Sequence, residues 1–263
     1  MAKPVEKLRR GDAPKPSFKG RLLLWGRIAV WSTAFAGVAW GGMEVHSFLL
    51  RDARFHLENL EIHGVHYTNL SRLQAVFTTD FGKSVFGVPL AERRRHVLAV
   101  DWVRTAAVTR IWPNRIIVTI TERRPVAFAQ LPIAGSVRHW MALTDAEGVL
   151  LTIPPRARFR LPVLSGMNEE QTDEERRLRV ASMQHLLDDL GPDAKGISEI
   201  NAASTEDMRV ISDVSGHGVE LMLGDQHFRS RYLNFLSHYE EIRKHSERAS
   251  MFDLRIDDRI SAR

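Results

Sequence analysis

Two predicted strands, at residues 102–110 and 115–121, flank a Pro-Asn turn, and the second has the period of two that is typical of β-strands. In the second run, Ile116, Val118 and Ile120 fall on one face, because successive side chains of a strand point to opposite faces. The first proline after this run is expected to end the strand, since proline cannot donate a hydrogen bond to a central ladder. The pattern predicts a β-hairpin with one buried face.

The residues before this hairpin carry alternating strand and helix patterns. Leu60 and Ile62 alternate with polar residues in a short strand that Gly64 closes. Apolar residues then recur at helical spacing, and Pro89 is well placed as the first residue of a second helix. The order strand, helix, helix, strand, strand predicts a three-stranded sheet backed by two helices over residues 55–124.

The remainder of the chain, residues 125–263, predicts a mostly antiparallel β domain with flanking helices. Thr172 and Glu175 form a capping-box pattern before one helix. An aromatic stripe that begins at Phe228 marks a second helix, where a core-facing stripe is favoured over the alternative of a cofactor box. The predicted strands of this region are 140–144, 149–153, 197–201, 208–212, 219–223 and 252–257.

Residues 22–45 predict a single membrane-spanning helix. From Leu22 to Met43 nearly every residue is apolar or small, with Arg27 the only charged one, and a helix of this length reaches ~33 Å, enough to cross a bilayer core. The basic residues before it place the N-terminus in the cytoplasm by the positive-inside rule. A cleaved signal peptide is the alternative, because residues 34–36 have the small-residue form of a cleavage site, although the apolar run continues past them.

The positive charge of the chain is concentrated in its first residues. The formal net charge is +5, and residues 1–21 contain seven lysines and arginines against two acidic residues. This segment predicts a cytoplasmic tail attracted to anionic lipid. Because the rest of the chain is nearly balanced in charge, no concentrated basic surface for nucleic acid is expected.

No residue pattern in the sequence indicates catalysis or a cofactor. The absence of cysteine excludes disulfides, thiolate metal sites and cysteine nucleophiles. Two histidine pairs, His63 with His66 and His238 with His245, are candidate metal ligands by spacing, but surface positions are favoured for both. We therefore predict no catalytic, cofactor-binding or metal-binding residue and no small-molecule substrate.

Three stretches of the sequence match the motifs of one known family. Around the hairpin the matching residues are Trp102, Val103, Ala106, Val108, Arg110, Trp112, Pro113, Thr121, Glu122, Arg123, Arg124, Pro125, Val126 and Ala127. Further matches are the Leu-Pro-Val-Leu-Ser-Gly segment at 161–166 and the residues Asp253, Leu254 and Arg255, whereas Ile256 stands where the family usually has tyrosine. In these motifs the chain resembles the FtsQ/DivIB family of bacterial cell-division proteins.

The resemblance implies a function in division rather than in catalysis. It implies that residues 55–124 are a POTRA domain and that residues 125–263 are the family's β domain. A member of the family is expected to be a non-enzymatic scaffold of the divisome that recruits and regulates septal peptidoglycan synthesis. It is expected to bind FtsB (DivIC) and FtsL, with further division proteins at the POTRA domain. The expected location is the inner membrane at the division septum, with the N-terminus cytoplasmic and both domains periplasmic.

The last predicted strand is the candidate partner-binding site. Its apolar and charged residues alternate, so that one face packs and the other is solvated, and a last strand often lies at a sheet edge, where free backbone groups recruit another chain. By resemblance, this region receives a strand from FtsB, although a simple closing strand is the alternative. The predicted contact residues, which include a turn at Asp258 and Arg259, are Phe252, Asp253, Leu254, Arg255, Ile256, Asp257, Asp258, Arg259 and Ile260.

Two other functions remain open alternatives for this sequence. A periplasmic transport adaptor would use the predicted POTRA domain to hold unfolded chains. A membrane-anchored cell-wall hydrolase would place its active site within residues 125–263, with two carboxylates held across a cleft.

Overall fold

The computed structural model describes the backbone of residues 18–245, 249–256 and 259–262 and, within those ranges, the side chains from Trp25 onward. Its helices are α1 (Phe18–Arg51), α2 (Leu70–Ala75), α3 (Leu90–Leu98), α4 (Asp173–Leu190) and α5 (Phe228–His245). The strands are β1 (Asn59–His63), β2 (Val103–Ile111), β3 (Arg115–Glu122), β4 (Pro125–Pro132), β5 (His139–Asp145), β6 (Leu150–Leu151), β7 (Val163–Ser165), β8 (Ile197–Asn201), β9 (Met208–Val214), β10 (His217–Gly224), β11 (Met251–Ile256) and β12 (Arg259–Ala262). The predicted α+β class is confirmed.

The described residues form two compact units. One comprises the described residues up to Leu60 together with Thr79–Pro89 and Arg110–Ile116, and the other comprises Glu61–Thr78, Leu90–Thr109 and Ile117–Arg263. The candidate sites described below all lie in the second unit.

The first sheet has three strands in the spatial order β1-β3-β2. Helices α2 and α3 lie between β1 and β2 in the chain, so that the predicted order of elements is confirmed. In β3, Ile116, Val118 and Ile120 are buried, as their alternation predicts. Helix α3 begins at Leu90, directly after Pro89, one residue later than the proline indicated.

The second sheet has nine strands in the order β12-β11-β10-β9-β8-β7-β4-β5-β6. Strands β7 and β8, β4 and β7, and β10 and β11 pair in parallel, while the remaining neighbours are antiparallel, which confirms a mostly antiparallel domain. Thr172 and Glu175 form the predicted capping box of α4. The aromatic stripe of α5 is buried in the core, with Phe235 and Tyr239 packed against each other.

Strand β4 is a correction to the sequence analysis. Pro125 was expected only to end the preceding strand, but β3 ends at Glu122 and Pro125 is the first residue of β4. A proline is tolerated at that position, because the first residue of a strand need not donate to the ladder. Ala127 and Ala129 alternate inward along β4, and such small side chains gave no apolar signal in the sequence.

The side chains of the predicted membrane span, residues 22–45, are described from Trp25 onward. Among those residues, no helix is both long enough and apolar enough to span a bilayer, so the span over residues 22–45 is not confirmed. The predicted cytoplasmic tail, residues 1–21, lies outside the described residues apart from the helical backbone that begins at Phe18.

The carboxylate of Glu122 holds the loop that follows β1. Its Oε1 atom accepts hydrogen bonds from the backbone N–H groups of His66, Tyr67 and Thr68 at 2.8, 2.9 and 2.7 Å. Burial acts to raise the pKa of Glu122, but the hydrogen bonds from residues 66–68 outweigh it and hold the pKa below its usual value of 4.5. The ionised carboxylate therefore stabilises this loop.

Replacing Glu122 with Gln is expected to lower the free energy of unfolding by about 1 kcal/mol at neutral pH, because a neutral amide is a weaker acceptor at this partly solvated site. The folded-state pKa is depressed, so the contribution is complete above the unfolded pKa and is lost as the pH falls through the folded one. Urea unfolding at neutral pH and in acid below 4.5 measures both effects. A Glu169→Gln variant is the control, and equal losses in the two variants would contradict the role of Glu122.

Candidate partner-binding edge

The edge of the large sheet is strand β12. Strand β11 lies inside the sheet, since it pairs in parallel with β10 and antiparallel with β12. The expectation that residues 252–257 form the edge is therefore wrong. Arg259, which was predicted to lie in a turn with Asp258, begins β12 and pairs with Ile256. Four residues are too few to show a period, which is why β12 was missed.

One side of β12 is available for pairing. Its register with β11 joins Ser261 to Asp253 and Ala262 to Phe252. No strand in the described part of the chain pairs with its other side. The free N–H and C=O groups along that side are a template for a strand from another chain.

Phe252 and Leu254 hold β11 in place from inside the protein. Their side chains are 1% and 2% exposed and belong to the core under α5. The ring of Phe252 lies 5.0 Å from that of Phe235, measured between centroids. These two predicted contact residues therefore support the edge without reaching a partner.

On the opposite face of β11, Asp253 and Arg255 form a two-pronged ion pair. The Nε and Nη2 atoms of Arg255 donate to the Asp253 carboxylate at 2.9 and 2.6 Å. Nη1 of Arg255 lies 3.6 Å from Oδ1 of Asp207 in the loop before β9. The hydrogen bonds to Asp253 raise the pKa of Arg255, so its charge persists at every physiological pH. A fixed positive charge thus stands beside the edge.

A groove of about 620 Å³ runs between α5 and β12. Its lining residues are Asn234, His238, Glu241, Ile242, His245, Ile260 and Ala262. The Nδ1 atoms of His238 and His245 donate to backbone carbonyl oxygens one turn earlier, at 2.9 and 3.0 Å. This fixes the ring tautomers and leaves each Nε2 atom available to a bound molecule. The groove combines apolar and hydrogen-bonding walls, as a pocket for a side chain of a docked strand requires.

The structure brings together only part of the predicted site. Three predicted contact residues lie at or next to the edge: Arg259 and Ile260 in β12, and Ile256, whose side chain is 63% exposed. Asp257 and Asp258 lie outside the described residues. The sequence analysis missed the α5 wall of the groove. The sequence feature that could have indicated this wall is the i, i+3, i+7 spacing of His238, Glu241 and His245, which places the three residues on one helix face. Among the described residues, no three such side chains converge as a metal site needs.

Comparison with known proteins finds one family of relatives for this chain. The model of the POTRA domain of FtsQ type matches residues 55–123. The cell division protein FtsQ of Koribacter versatilis is 31% identical over 96% of this chain and 73% of its own length. FtsQ of Novosphingobium aromaticivorans is 27% identical over 89% of this chain and 69% of its length. FtsQ of Shewanella oneidensis is 25% identical over 89% and 84%.

Because some side chains of β11 are buried in the core and others are exposed, shortening them to alanine is expected to lower the free energy of unfolding by unequal amounts. Leu254→Ala is expected to cost about 2–5 kcal/mol of unfolding free energy, because it leaves a cavity in the core. Ile256→Ala is expected to change it by less than about 0.5 kcal/mol, because the side chain is exposed. Denaturant unfolding of the two variants measures the difference, and similar values for both would contradict the assigned register.

Proposed function

This chain belongs to the FtsQ family of cell division proteins, and we propose that it works as a non-enzymatic scaffold of the divisome. In this proposal it binds an FtsB-type partner, and with it an FtsL-type protein, and thereby recruits and regulates septal peptidoglycan synthesis. The observation that carries the proposal is the unpaired side of β12.

The edge and the groove support one binding mode. A strand that pairs with β12 gains main-chain hydrogen bonds, which give affinity, while pockets for alternate side chains give specificity. The groove between α5 and β12 is such a pocket, and Ile260 contributes to its wall. The predicted contact residues are thereby shifted from β11 to β12 and α5.

The proposal includes two domains and attachment to the inner membrane at the division septum. Residues 55–124 would form the POTRA domain, a second contact surface for division proteins, and residues 125–263 the β domain, both in the periplasm. Support for attachment comes from helix α1, on which Trp31, Phe35 and Trp40 are exposed apolar side chains, and from the basic residues before it. Tethering to a membrane would raise the effective concentration of the chain for membrane-bound partners.

Deletion of residues 1–45 is expected to move the protein from the membrane fraction to the soluble fraction, because the exposed apolar side chains of α1 are then lost. Fractionation of cells, followed by immunoblotting, measures the distribution. Deletion of residues 1–17 alone is the control and should leave the protein with the membranes. A full chain found in the soluble fraction would refute membrane attachment.

Proline substitutions in β12 test pairing with a partner strand. Consecutive residue pairs of an antiparallel ladder alternate between inward and outward N–H groups. Of Ser261→Pro and Ala262→Pro, one therefore removes a donor to β11 and the other a donor to the partner. The variant that loses the donor to the partner is expected to keep its thermal stability and to lose at least about tenfold in affinity for the organism's own FtsB-type protein.

The matched controls are Ser261→Ala and Ala262→Ser, which keep both N–H groups and should bind as the wild type does. Hydrogen exchange on the wild-type complex adds a second readout, since the partner must protect β12 amides. Unchanged affinity in both proline variants, or no protection of β12, would refute the binding mode. Hydrolysis of peptidoglycan, or binding to many unfolded chains alike, would refute the scaffold itself.

A further inference from the structure

A strip of three arginines lies on the exposed segment between β6 and β7. Arg156, Arg158 and Arg160 are exposed, while the residues between them turn inward. Phe159 packs against the buried cluster that contains Trp102. The segment begins with a turn that contains Arg156, in which the backbone N–H of Ala157 donates to the carbonyl oxygen of Pro154 at 3.1 Å. After this turn, half-buried and exposed side chains alternate over residues 157–160, and no strand among the described residues pairs with them.

These arginines have no partner in the described part of the chain. No ion pair or side-chain hydrogen bond involves Arg156, Arg158 or Arg160, and the same holds for the side chain of the nearby Arg72. Other arginines of this unit are held by carboxylates, as Arg123 is by Asp145 at 2.6 Å. The backbone N–H groups of residues 158–161 also make no hydrogen bond with described residues. Guanidinium groups and main-chain donors are therefore both free along one segment.

An aromatic cleft of about 300 Å³ adjoins the arginine strip. Tyr67, Arg72 and Trp102 line it together with the start of the segment, including Pro154 and Pro155. Tyr67 is 39% exposed, and its ring lies 5.0 Å from Trp102 and 5.5 Å from Phe159, measured between centroids. The cleft therefore offers an apolar floor next to free positive charges.

The walls of this cleft are held rigidly. The Glu122 carboxylate accepts hydrogen bonds from the backbone N–H groups of residues 66–68 and so fixes the loop that carries Tyr67. On the other wall, Nε1 of Trp102 donates to the carbonyl oxygen of Thr152 at 2.9 Å, and the backbone N–H of Thr152 donates to Asp101 at 3.2 Å. Asp101 is the acidic residue among those that line the cleft, and its carboxylate accepts this hydrogen bond from Thr152. A cleft held in this way loses little conformational entropy when it binds a ligand.

We propose that the arginine strip and the aromatic cleft form a second docking surface, which takes an extended peptide rich in Asp and Glu. Side chains on one face of an extended chain repeat every ~6.5–7 Å, so carboxylates at alternate positions of such a peptide match Arg158 and Arg160. Arg156, in the turn before them, adds a third positive charge at the end of this row. Free N–H groups among residues 158–161 donate to carbonyl oxygens of its main chain, and Tyr67 contacts an apolar side chain. The two-residue repeat and the free main-chain donors favour a peptide over a glycan or a lipid surface. This surface is separate from β12 and does not depend on the function proposed for that edge.

Binding of a dye-labelled peptide in which Glu and Val alternate tests the surface, with fluorescence anisotropy on the full chain. The combined variant Arg156→Gln, Arg158→Gln and Arg160→Gln is expected to bind at least about tenfold more weakly. The control variant removes three other exposed, unpaired arginines, Arg51→Gln, Arg95→Gln and Arg138→Gln, and should keep wild-type affinity. A peptide with Gln in place of Glu should bind weakly to every variant, and salt should weaken the wild-type complex.

The cleft is tested separately with Tyr67→Ala, which leaves every arginine in place and should weaken binding of the alternating peptide. Equal losses in both triple variants would mean that only net charge matters and would overturn the proposal. So would wild-type binding to isolated peptidoglycan, to anionic lipid vesicles or to a second copy of the chain in preference to the peptide. The proline variants of β12 should bind the peptide normally, and the strip variant should bind the FtsB-type partner normally, so each proposal fails on its own result.

Discussion

Burial of Phe252 and Leu254 is the interaction on which the candidate edge depends. These side chains enter the core beneath α5 and anchor β11 between two neighbours. Because β11 is anchored, β12 can be short and still have a fixed position and register. A short edge strand also limits unwanted pairing with other chains, since it offers few free backbone groups. The same core residues that stabilise the domain therefore present a small and selective docking edge.

Charged residues of the family motif have structural roles in the same unit. Glu122 holds the loop of residues 66–68 through backbone hydrogen bonds. Arg123, next to it, pairs with Asp145 at 2.6 Å and with Glu147 at 2.8 Å. Because the Arg123 side chain is largely buried, losing one partner would leave a poorly compensated charge. These contacts explain the presence of both residues without any catalytic role, and those of Glu122 also fix the loop that carries Tyr67, one wall of the aromatic cleft.

Several elements were predicted from local pattern alone. The alternation of Ile116, Val118 and Ile120 and the capping box of Thr172 and Glu175 depend only on neighbouring residues, and both are confirmed. Strand β4 was missed because its inward residues include the small Ala127 and Ala129. The arginine strip was missed for another reason. Alternation of Arg and apolar residues over five positions is common, and only the folded chain shows that these arginines have no partner among the described residues.

The sequence by itself determined the family, most of the helices and strands and the buried face of β3, because these follow from side-chain periods and from short motifs. The tertiary structure alone decided which strand is the outermost. The parallel pairing of β10 with β11 and the antiparallel pairing of β11 with β12 join segments through backbone groups, which every residue possesses. Position in the sheet therefore leaves little trace in residue type. For the same reason, the groove between α5 and β12 emerged only when distant segments were brought together.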